Sequence, residues 1–289
     1  MAGQHLAPPS VPGDRTGGAA RPGQGAAGVT GQGAAAAGWD QLRSARRDDA
    51  RAAAVREVLQ GVLAGLVAQT GREQLEVLDA GGGTGGFAVP LAGLGHRVTV
   101  VDPSPDSLAA AQRRAAEMTV PLRAIQGDAA DLVRLAGEGS ADLVLCHSVL
   151  EYVDSPAATM TAIAAALRPG GAVSVLAASA VAAVIHRALA GRITDAARLL
   201  AAIGTTQAPR HGQAPSRWFT LAEVTGLIED AGLRPGAAHG VGVFTDLVPS
   251  AAANASPAAA QALRDLELAA AAHPAFHDFA ARFHVLGYR

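Results

Sequence analysis

The sequence predicts an α/β fold in which a doubly wound, mostly parallel sheet is covered by helices on both faces. Five short, largely apolar segments occur in its first two thirds, as expected of parallel strands buried on both faces. Helical patterns separate these segments, and repeated β-α units form sheets whose ligands lie beyond the carboxyl ends of the strands. The predicted strands are 75–80, 96–102, 122–128, 141–147 and 171–178.

The helices between the strands have recognisable starts and ends. Proline follows serine at Ser104-Pro105 and Ser155-Pro156, a pattern typical of an N-cap before the first helical turn. The RPGG segment at 168–171 closes one helix and turns the chain into the next strand. An amphipathic helix is predicted from Arg51 onward, where apolar residues recur at helical spacing: Val55, Val58, Leu59, Val62, Leu63 and Leu66.

The last third of the chain has a different character. Residues 180–202 are predicted to be helical, and 205–216 to form a loop rich in Gly, Pro and Gln. Thr220 and Glu223 form a capping box that opens a further helix. The remaining predicted elements are a strand at 240–247, a helix from Ser256-Pro257 to about Ala272 and a strand at 281–289.

The composition limits domain organisation and location. The chain has 289 residues, of which 49% are apolar, enough for one sizeable domain. Residues 1–38 contain almost no large apolar side chain, so we expect a disordered tail followed by one domain at 39–289. Because the sequence shows neither a long apolar run nor a basic start followed by an apolar core, we expect no membrane span, no secretory signal and a cytoplasmic protein.

The cysteine count, the net charge and the histidine spacing argue against disulfide-stabilised, strongly basic nucleic-acid-binding and metal-binding proteins. The single cysteine, Cys146, rules out intrachain disulfides and is interpreted as a core strand residue. A net charge of −2 argues against a strongly basic nucleic-acid surface. His273, His277 and His284 are too loosely spaced for a metal site, so no metal is predicted.

A glycine-rich turn, VLDAGGGTGG at 77–86, directly follows the first predicted strand. Gly81-x-Gly83-x-x-Gly86 matches the dinucleotide pattern, which is a weak signal on its own. Asp79, two residues before Gly81, would repel a pyrophosphate. An acid in this place suits a cofactor with a cationic head, such as the ammonium of an amino acid.

Two more acids stand at the ends of the next two predicted strands. Asp102 is placed to accept hydrogen bonds from two ribose hydroxyls, and Asp128 can accept one from the exocyclic amine of adenine. An amino acid, a ribose and an adenine, in that order, describe S-adenosylmethionine (SAM).

These segments resemble the class I SAM-dependent methyltransferases over about residues 50–180. The resemblance implies a Rossmann-like sheet of seven strands, with five parallel β-α units, two C-terminal strands and the last strand antiparallel. It also implies methyl transfer from SAM. The segments that carry it are VLDAGGGTGG, VTVVDPSPDSLAAAQRRA, GDAADL, DLVLCHSVLEYVDSP and LRPGGAVSV.

More narrowly, the chain resembles the bacterial tRNA uridine-5-oxyacetic acid carboxyl methyltransferases through GHRV, CHSVLEYV, GVGVFTDL and ARFHV. This resemblance implies that Arg51 pairs with the methionyl carboxylate and that His147 lies near the cofactor. It also places Gly81, Gly82, Asp102, Asp128 and Ala129 in the pocket. Asp79 and Gly83, which belong to the glycine-rich turn described above, complete the predicted cofactor site. Its residues are Arg51, Asp79, Gly81, Gly82, Gly83, Asp102, Asp128, Ala129 and His147.

Two substrate-side positions depart from that narrower pattern. The family leads one to expect an Arg and a His where this chain has Gly242 and Thr245, and the tyrosine expected soon afterwards is also replaced. The implied acceptor is the carboxylate of a modified wobble uridine in a tRNA anticodon loop. The departures weaken this assignment and leave the SAM assignment intact.

Other functions remain open at this point. A carboxylate acceptor is ionised at neutral pH and needs no base, so no catalytic residue is assigned. The alternatives are a methyltransferase for a small metabolite such as a carboxylic acid, and a catalytically silent SAM-binding module. A nicotinamide-dependent oxidoreductase is disfavoured by Asp79.

A basic segment from Arg187 to Arg217 contains five arginines and one acid. With Trp218 beside it, the helical insertion at 180–217 could grip an RNA loop, with Arg217 on phosphate and a base stacked on Trp218. A solvated helix face next to a core aromatic pair explains the same residues. Tyr152, just past the fourth predicted strand, is a further substrate candidate, although helix-terminal surface explains it equally well.

Overall fold

The computed structural model describes residues 51–204, 217–253 and 255–289. Three predictions lie outside the described residues: the tail at 1–38, the start of the domain at Trp39 and the loop at 205–216.

The described strands form a single sheet. They are β1 (Glu76–Ala80), β2 (Arg97–Asp102), β3 (Arg123–Gln126), β4 (Ala141–His147), β5 (Leu167–Ala178), β6 (Arg234–Val241) and β7 (Arg282–Tyr288). Their order is β3-β2-β1-β4-β5-β7-β6, in which β1 to β5 run parallel. β7 is antiparallel to both β5 and β6. The predicted doubly wound sheet, with its last strand antiparallel, is confirmed.

The helices lie where the capping residues predict them. The side chains of Ser104, Ser155 and Ser256 each accept a hydrogen bond from the backbone N–H three residues later. Thr220 and Glu223 form the expected capping box. The α-helices are α1 (51–70), α2 (Ala88–Gly93), α3 (Pro105–Glu117), α4 (Leu132–Ala136), α5 (Pro156–Ala166), α6 (Ala180–Leu189), α7 (Ile193–Ala202), α8 (Leu221–Asp230), α9 (Ser250–Ala253) and α10 (Pro257–Ala271).

The predicted helical segment 180–202 consists of two helices. Gly191 adopts a φ of 74° between α6 and α7. A helix cannot continue through this left-handed conformation, which glycine adopts without steric cost.

The fifth strand begins earlier than predicted, because the RPGG segment belongs to β5. The N–H of Gly170 donates to the carbonyl of Arg289, and the N–H of Arg289 donates to the carbonyl of Gly171, both at 3.0 Å. An added Cβ on Gly171 would lie 3.0 Å from the carbonyl oxygen of Asp142. The helix therefore ends just before the segment, which is paired with the chain's last residue.

The predicted bounds of the sixth strand, 240–247, are wrong, because β6 covers Arg234–Val241. Gly242 adopts a φ of 74° there and turns the chain away from the sheet. The backbone N–H groups of Val243, Phe244 and Thr245 then donate to the carboxylate of Glu267 on α10. These donors are satisfied by a side chain instead of a neighbouring strand, so the segment forms a loop.

Apolar side chains pack against both faces of the sheet. Val55, Leu59 and Leu63 of α1 belong to the core on one face, and Met160 and Ile163 of α5 belong to the core on the other. Cys146 is fully buried in the second core, and burial raises the pKa of its thiol. Among the described residues, no helix is long and apolar enough to cross a membrane.

Candidate functional site

The glycine turn after β1 is packed tightly against its own protein. Gly81 has a φ of 68°, and a Cβ added to it would lie 2.5 Å from Cγ2 of Val149. A Cβ on Gly82 would lie 2.5 Å from Cγ of Asp79. These two glycines are therefore required because larger residues would collide with Val149 and Asp79.

Gly83 is an open position of the turn. Among the described residues, the one neighbour within 4 Å of an added Cβ is Oδ2 of Asp102, at 4.0 Å. The N–H of Gly83 donates to the same oxygen at 2.9 Å. A ligand can therefore approach the backbone at Gly83, while Asp102 ties the turn to the end of β2.

The three predicted acids lie at the ends of three neighbouring strands, as the order β3-β2-β1 requires. Asp79 and Asp102 are buried, whereas Asp128 is exposed and accepts a hydrogen bond from the N–H of Ala130 at 2.8 Å. Ala129, beside it, is buried. The carboxyl groups thus follow one edge of the sheet.

The carboxyl group of Asp79 is perturbed by its surroundings. Burial, and secondarily the charge of Asp102, raise its pKa to about 7. An ionised Asp79 in this place lacks the solvation that it has in water. A cationic group bound beside it would favour the ionised form.

One cavity of about 220 Å³, here named the Asp79 cavity, brings together five of the predicted residues: Arg51, Asp79, Gly81, Gly82 and His147. The other four, Gly83, Asp102, Asp128 and Ala129, do not line it and lie beside it at the ends of β1, β2 and β3. The nine predicted cofactor residues therefore lie in a cavity and at the adjoining carboxyl ends of β1, β2 and β3.

Arg51, which lines the Asp79 cavity, forms an ion pair with Asp246. Asp246 belongs to the loop that follows β6, which Glu267 holds in place. Sequence reasoning missed both Asp246 and Glu267. Arg51 and Asp246 are 195 positions apart, and Glu267 is 24 positions from Val243, so no local pattern marks either contact.

His147 lies at the end of β4 in the wall of the Asp79 cavity. Its Nε2 is 2.7 Å from Oγ of Ser174, and its ring packs edge-on against Phe87 with centroids 4.6 Å apart. Burial lowers the pKa of the imidazole to about 3, so the ring is neutral at neutral pH. Its Nδ1 is buried and has no hydrogen-bond partner among the described residues.

Two further cavity residues carry no recognised role in the sequence reasoning. Arg282, in the terminal ARFHV segment, lines the Asp79 cavity together with Phe87. The charge of Arg282 also acts on Glu151, a buried carboxylate that accepts a hydrogen bond from the N–H of Ala178 at 2.7 Å. The ARFHV segment was a usable signal for Arg282.

The substrate-side candidates lie elsewhere. Tyr152 is exposed and lines neither this cavity nor a second one, the Trp218 cavity, which Arg217 and Trp218 help to line. The guanidinium of Arg217 donates to the backbone carbonyls of Val153 and Asp154. The guanidinium of Arg187 lies 4.6 Å from the centre of the Trp218 ring. Within the described ranges, the two cavities share no lining residue.

Metal ligation has no support in the part of the chain that the structure describes. No group of three or more His, Cys, Asp or Glu side chains there could hold a metal ion.

A family model described as a methyltransferase domain matches residues 78–175. The chain is 31% identical over 183 residues to the tRNA 5-carboxymethoxyuridine methyltransferase of Escherichia coli K12, covering 63% of this chain and 68% of that protein. It is 38% identical over 166 residues to a ubiquinone biosynthesis O-methyltransferase of Methylobacterium nodulans, covering 56% of this chain and 60% of that protein. The match thus spans less than two thirds of the Methylobacterium protein.

Solved structures share the fold. The magnesium protoporphyrin IX methyltransferase of Synechocystis PCC 6803, solved with bound SAH, superposes with a TM-score of 0.52 at 17% identity and covers 83% of this chain and 86% of that one. A SAM-dependent methyltransferase from Methanosarcina mazei superposes with a TM-score of 0.51 at 14% identity, covering 75% and 93%.

The geometry of the site fits the cofactor of these proteins. The absence of a side chain at Gly83 lets a ligand approach the backbone, and the buried carboxyl group of Asp79 suits an ammonium. Nδ1 of His147, which has no partner among the described residues, can form a hydrogen bond with a polar group of the ligand. The chain belongs to the class I SAM-dependent methyltransferases, and its cofactor is S-adenosylmethionine.

Proposed function

We propose that this protein transfers a methyl group from SAM to a carboxylate, and that this carboxylate is carried by a modified uridine of tRNA. The observation that supports a carboxylate as the methyl acceptor is the set of titratable side chains around the Asp79 cavity. Among the described residues, these are Arg51, Asp79, His147 and Arg282.

None of these side chains is suited to deprotonate an acceptor near neutral pH. The pKa of His147 is lowered to about 3, and a guanidinium group has no acceptor for a proton. The ammonium of the bound cofactor would pair with Asp79, so this carboxyl group would not be available as a base. An acceptor that is already ionised, as a carboxylate is, needs no base.

The cofactor supplies, when bound, a methyl group on a sulfonium that is already a good leaving group. The residues of this chain then have to bind and align. Arg51 would bind the methionyl carboxylate, Asp102 the ribose hydroxyls, and Asp128 with Ala129 the adenine. Holding the acceptor oxygen about 3 Å from the methyl carbon can supply roughly 7–11 kcal/mol of the barrier.

The tRNA part of the proposal is supported by the similarity to the Escherichia coli enzyme. Two positions, Gly242 and Thr245, depart from the pattern of that family. At Gly242 an added Cβ would lie 3.3 Å from Cβ of Ala281 and 3.5 Å from Nε of Arg51, at a φ of 74°. Thr245 is buried, and its hydroxyl donates to Glu267 at 2.7 Å. Both positions therefore serve the loop itself, and any tRNA contact would come from other residues. The proposal implies a cytoplasmic location.

A small-molecule acceptor is the second candidate. The similarity to the Methylobacterium ubiquinone biosynthesis enzyme favours it. The contacts of the basic segment also favour a small-molecule acceptor, because Arg217 donates to two backbone carbonyls and Arg187 packs over the ring of Trp218. These groups are engaged within the protein instead of being presented to RNA.

Incubation with methyl-labelled SAM separates the candidates. The purified protein is offered bulk tRNA in one reaction and a small-molecule extract in another, and the fraction that takes up label is recorded. We expect label in tRNA, as a base-labile methyl ester. Label confined to small molecules would exclude the tRNA acceptor, and label in neither fraction would favour a silent binding module.

Asp102→Ala is expected to weaken SAM binding by ~1.5–3 kcal/mol, because hydrogen bonds to the ligand are left unmade. The matched control is Asp106→Ala, an exposed acid in the first turn of α3, for which we expect little change. Calorimetric titration measures both. NAD is expected to give no binding signal, and tight NAD binding without SAM binding would refute the cofactor assignment.

Binding of tRNA is expected to weaken steeply as salt rises, because each phosphate contact releases counterions. Arg192→Gln, at an exposed position in the wall of the Trp218 cavity, should reduce the slope of log K against log salt by about one. Arg97→Gln, exposed at the start of β2, is the control and should leave the slope unchanged. Salt-independent binding would contradict the tRNA proposal.

A further inference from the structure

A row of histidines crosses the sheet from the Asp79 cavity. His147 on β4 is paired with Leu176 on β5, and Leu176 with His284 on β7. His284 is paired in turn with His239 on β6. Directly opposed residues on adjacent strands project to the same face, so these side chains lie side by side.

Ser174 joins the first two imidazoles of the row. Its Oγ lies 2.7 Å from Nε2 of His147 and 2.7 Å from Nε2 of His284. Ser174 and His284 are both fully buried. One hydroxyl has a single proton to donate, so it can donate to one ring and accept from the other.

The protonation states of the two rings are therefore coupled. Burial lowers the pKa of His147 to about 3 and that of His284 well below its ordinary value, so both rings are neutral. A neutral imidazole has one N–H and one bare nitrogen. Ser174 could accept from both rings, but its own O–H would then be buried without an acceptor, since the two Nε2 atoms are the hydrogen-bond partners of its hydroxyl among the described residues. Its O–H therefore donates to one Nε2, and the other Nε2 carries a proton.

The surroundings of the Nδ1 atoms decide between the two arrangements. Nδ1 of His284 is buried and has no hydrogen-bond partner among the described residues. Nδ1 of His147 is equally unpartnered, but His147 lines the Asp79 cavity, where a bound ligand can supply an acceptor, and His284 does not line it. A buried N–H without an acceptor is rare in native proteins, so Nδ1 of His284 is the bare nitrogen. His284 then donates from Nε2 to Ser174, Ser174 donates to Nε2 of His147, and the proton of His147 is on Nδ1.

We propose that Ser174 and His284 are positioning residues that hold His147 in its Nδ1–H form, as a neutral donor to a carboxylate bound in the Asp79 cavity. Arg51 and Arg282 line the same cavity and make it suitable for a carboxylate. A neutral donor adds a hydrogen bond there without adding a further positive charge to a cavity that Arg51 and Arg282 already line. The carboxylate is that of the cofactor or that of the acceptor, and the acceptor case rests on the proposed function.

Nuclear magnetic resonance of the wild-type protein tests the tautomer directly. Long-range proton–nitrogen spectra of the protein labelled with ¹⁵N-histidine are assigned by single His→Gln variants. We expect His147 as the Nδ1–H form and His284 as the Nε2–H form. The opposite tautomers, or a mixture of both, would overturn the proposal.

Ligands then identify the source of the carboxylate. S-adenosylhomocysteine carries the methionyl carboxylate, and decarboxylated S-adenosylmethionine keeps the amine and lacks the carboxylate. A shift of the His147 Nδ1–H signal with the first and not the second assigns the cofactor carboxylate. A shift that appears on adding an anticodon stem-loop with carboxymethoxyuridine assigns the acceptor. No shift with any ligand refutes the proposal. Failure of the tRNA function is read separately, as the absence of methyl label in tRNA.

Variants of the bridging hydroxyl provide the last test. Ser174→Ala should let His147 populate both tautomers and weaken binding of the ligand that shifts the His147 signal about three- to tenfold. Ser174→Thr should restore the single tautomer. Thr159→Val removes another fully buried hydroxyl, on α5, and should change neither readout. An unchanged His147 tautomer in Ser174→Ala would show that the bridge does not position the ring.

Discussion

Glu267→Ala is expected to lower the free energy of unfolding by about 3–5 kcal/mol. The buried carboxylate of Glu267 accepts backbone hydrogen bonds from Val243 at 3.0 Å, from Phe244 at 2.7 Å and from Thr245, and it also accepts the Thr245 hydroxyl at 2.7 Å. Alanine would leave these donors buried without an acceptor, and each such donor costs about 1–3 kcal/mol. Urea unfolding measures the change.

Asp265→Ala is the matched control for this prediction. Asp265 lies two residues away on α10, is exposed and accepts a hydrogen bond from Gln261 alone among the described residues. We expect its removal to cost less than about 0.5 kcal/mol. Because the loop also carries Asp246, which pairs with Arg51, Glu267→Ala should weaken cofactor binding as well. Equal losses of stability in both variants would contradict the anchoring role.

Binding of S-adenosylhomocysteine is expected to strengthen up to tenfold per pH unit from about pH 5 to about pH 7, and to level off above that range. Asp79 has a pKa of about 7 in the folded protein, so it is protonated through most of this range. An ammonium bound beside it favours the carboxylate, and binding therefore releases a proton. His147, with a pKa of about 3, does not titrate in this range.

Calorimetry in buffers of different ionisation enthalpy counts the released protons. We expect close to one per ligand near pH 6 and none well above pH 7. Asp79→Asn should bind more weakly with little pH dependence, whereas Asp106→Asn should behave like the wild type. Proton uptake, or an unchanged profile in Asp79→Asn, would contradict the assignment of the ammonium to Asp79.

The same pKa makes a prediction about the stability of the protein without ligand. The unfolded state loses the Asp79 proton near pH 4 and the folded state near pH 7, so the folded state binds more protons between these values. The contribution of Asp79 therefore lowers stability as pH rises from about 4 to about 7, by roughly 4 kcal/mol in total. The difference between wild type and Asp79→Asn isolates this contribution.

The sequence by itself determined the features that depend on local chemistry. Serine before proline marks the starts of α3, α5 and α10, and the alternation of apolar strands with helices predicts the doubly wound sheet. Parallel strands end at one edge, so the positions of Asp79, Asp102 and Asp128 along the chain already place them side by side. No tertiary information is needed for these inferences, because caps and strand ends are properties of a few consecutive residues.

Only the tertiary structure decided which distant groups satisfy one another. The segment 240–247 has the apolar character of a strand, yet the carboxylate of Glu267 captures its N–H groups and makes most of it a loop. The pairing of Arg51 with Asp246 and the bridge from Ser174 to His284 join residues 195 and 110 positions apart. Buried donors and charges must find partners wherever the packing brings them, and a linear sequence does not contain that geometry.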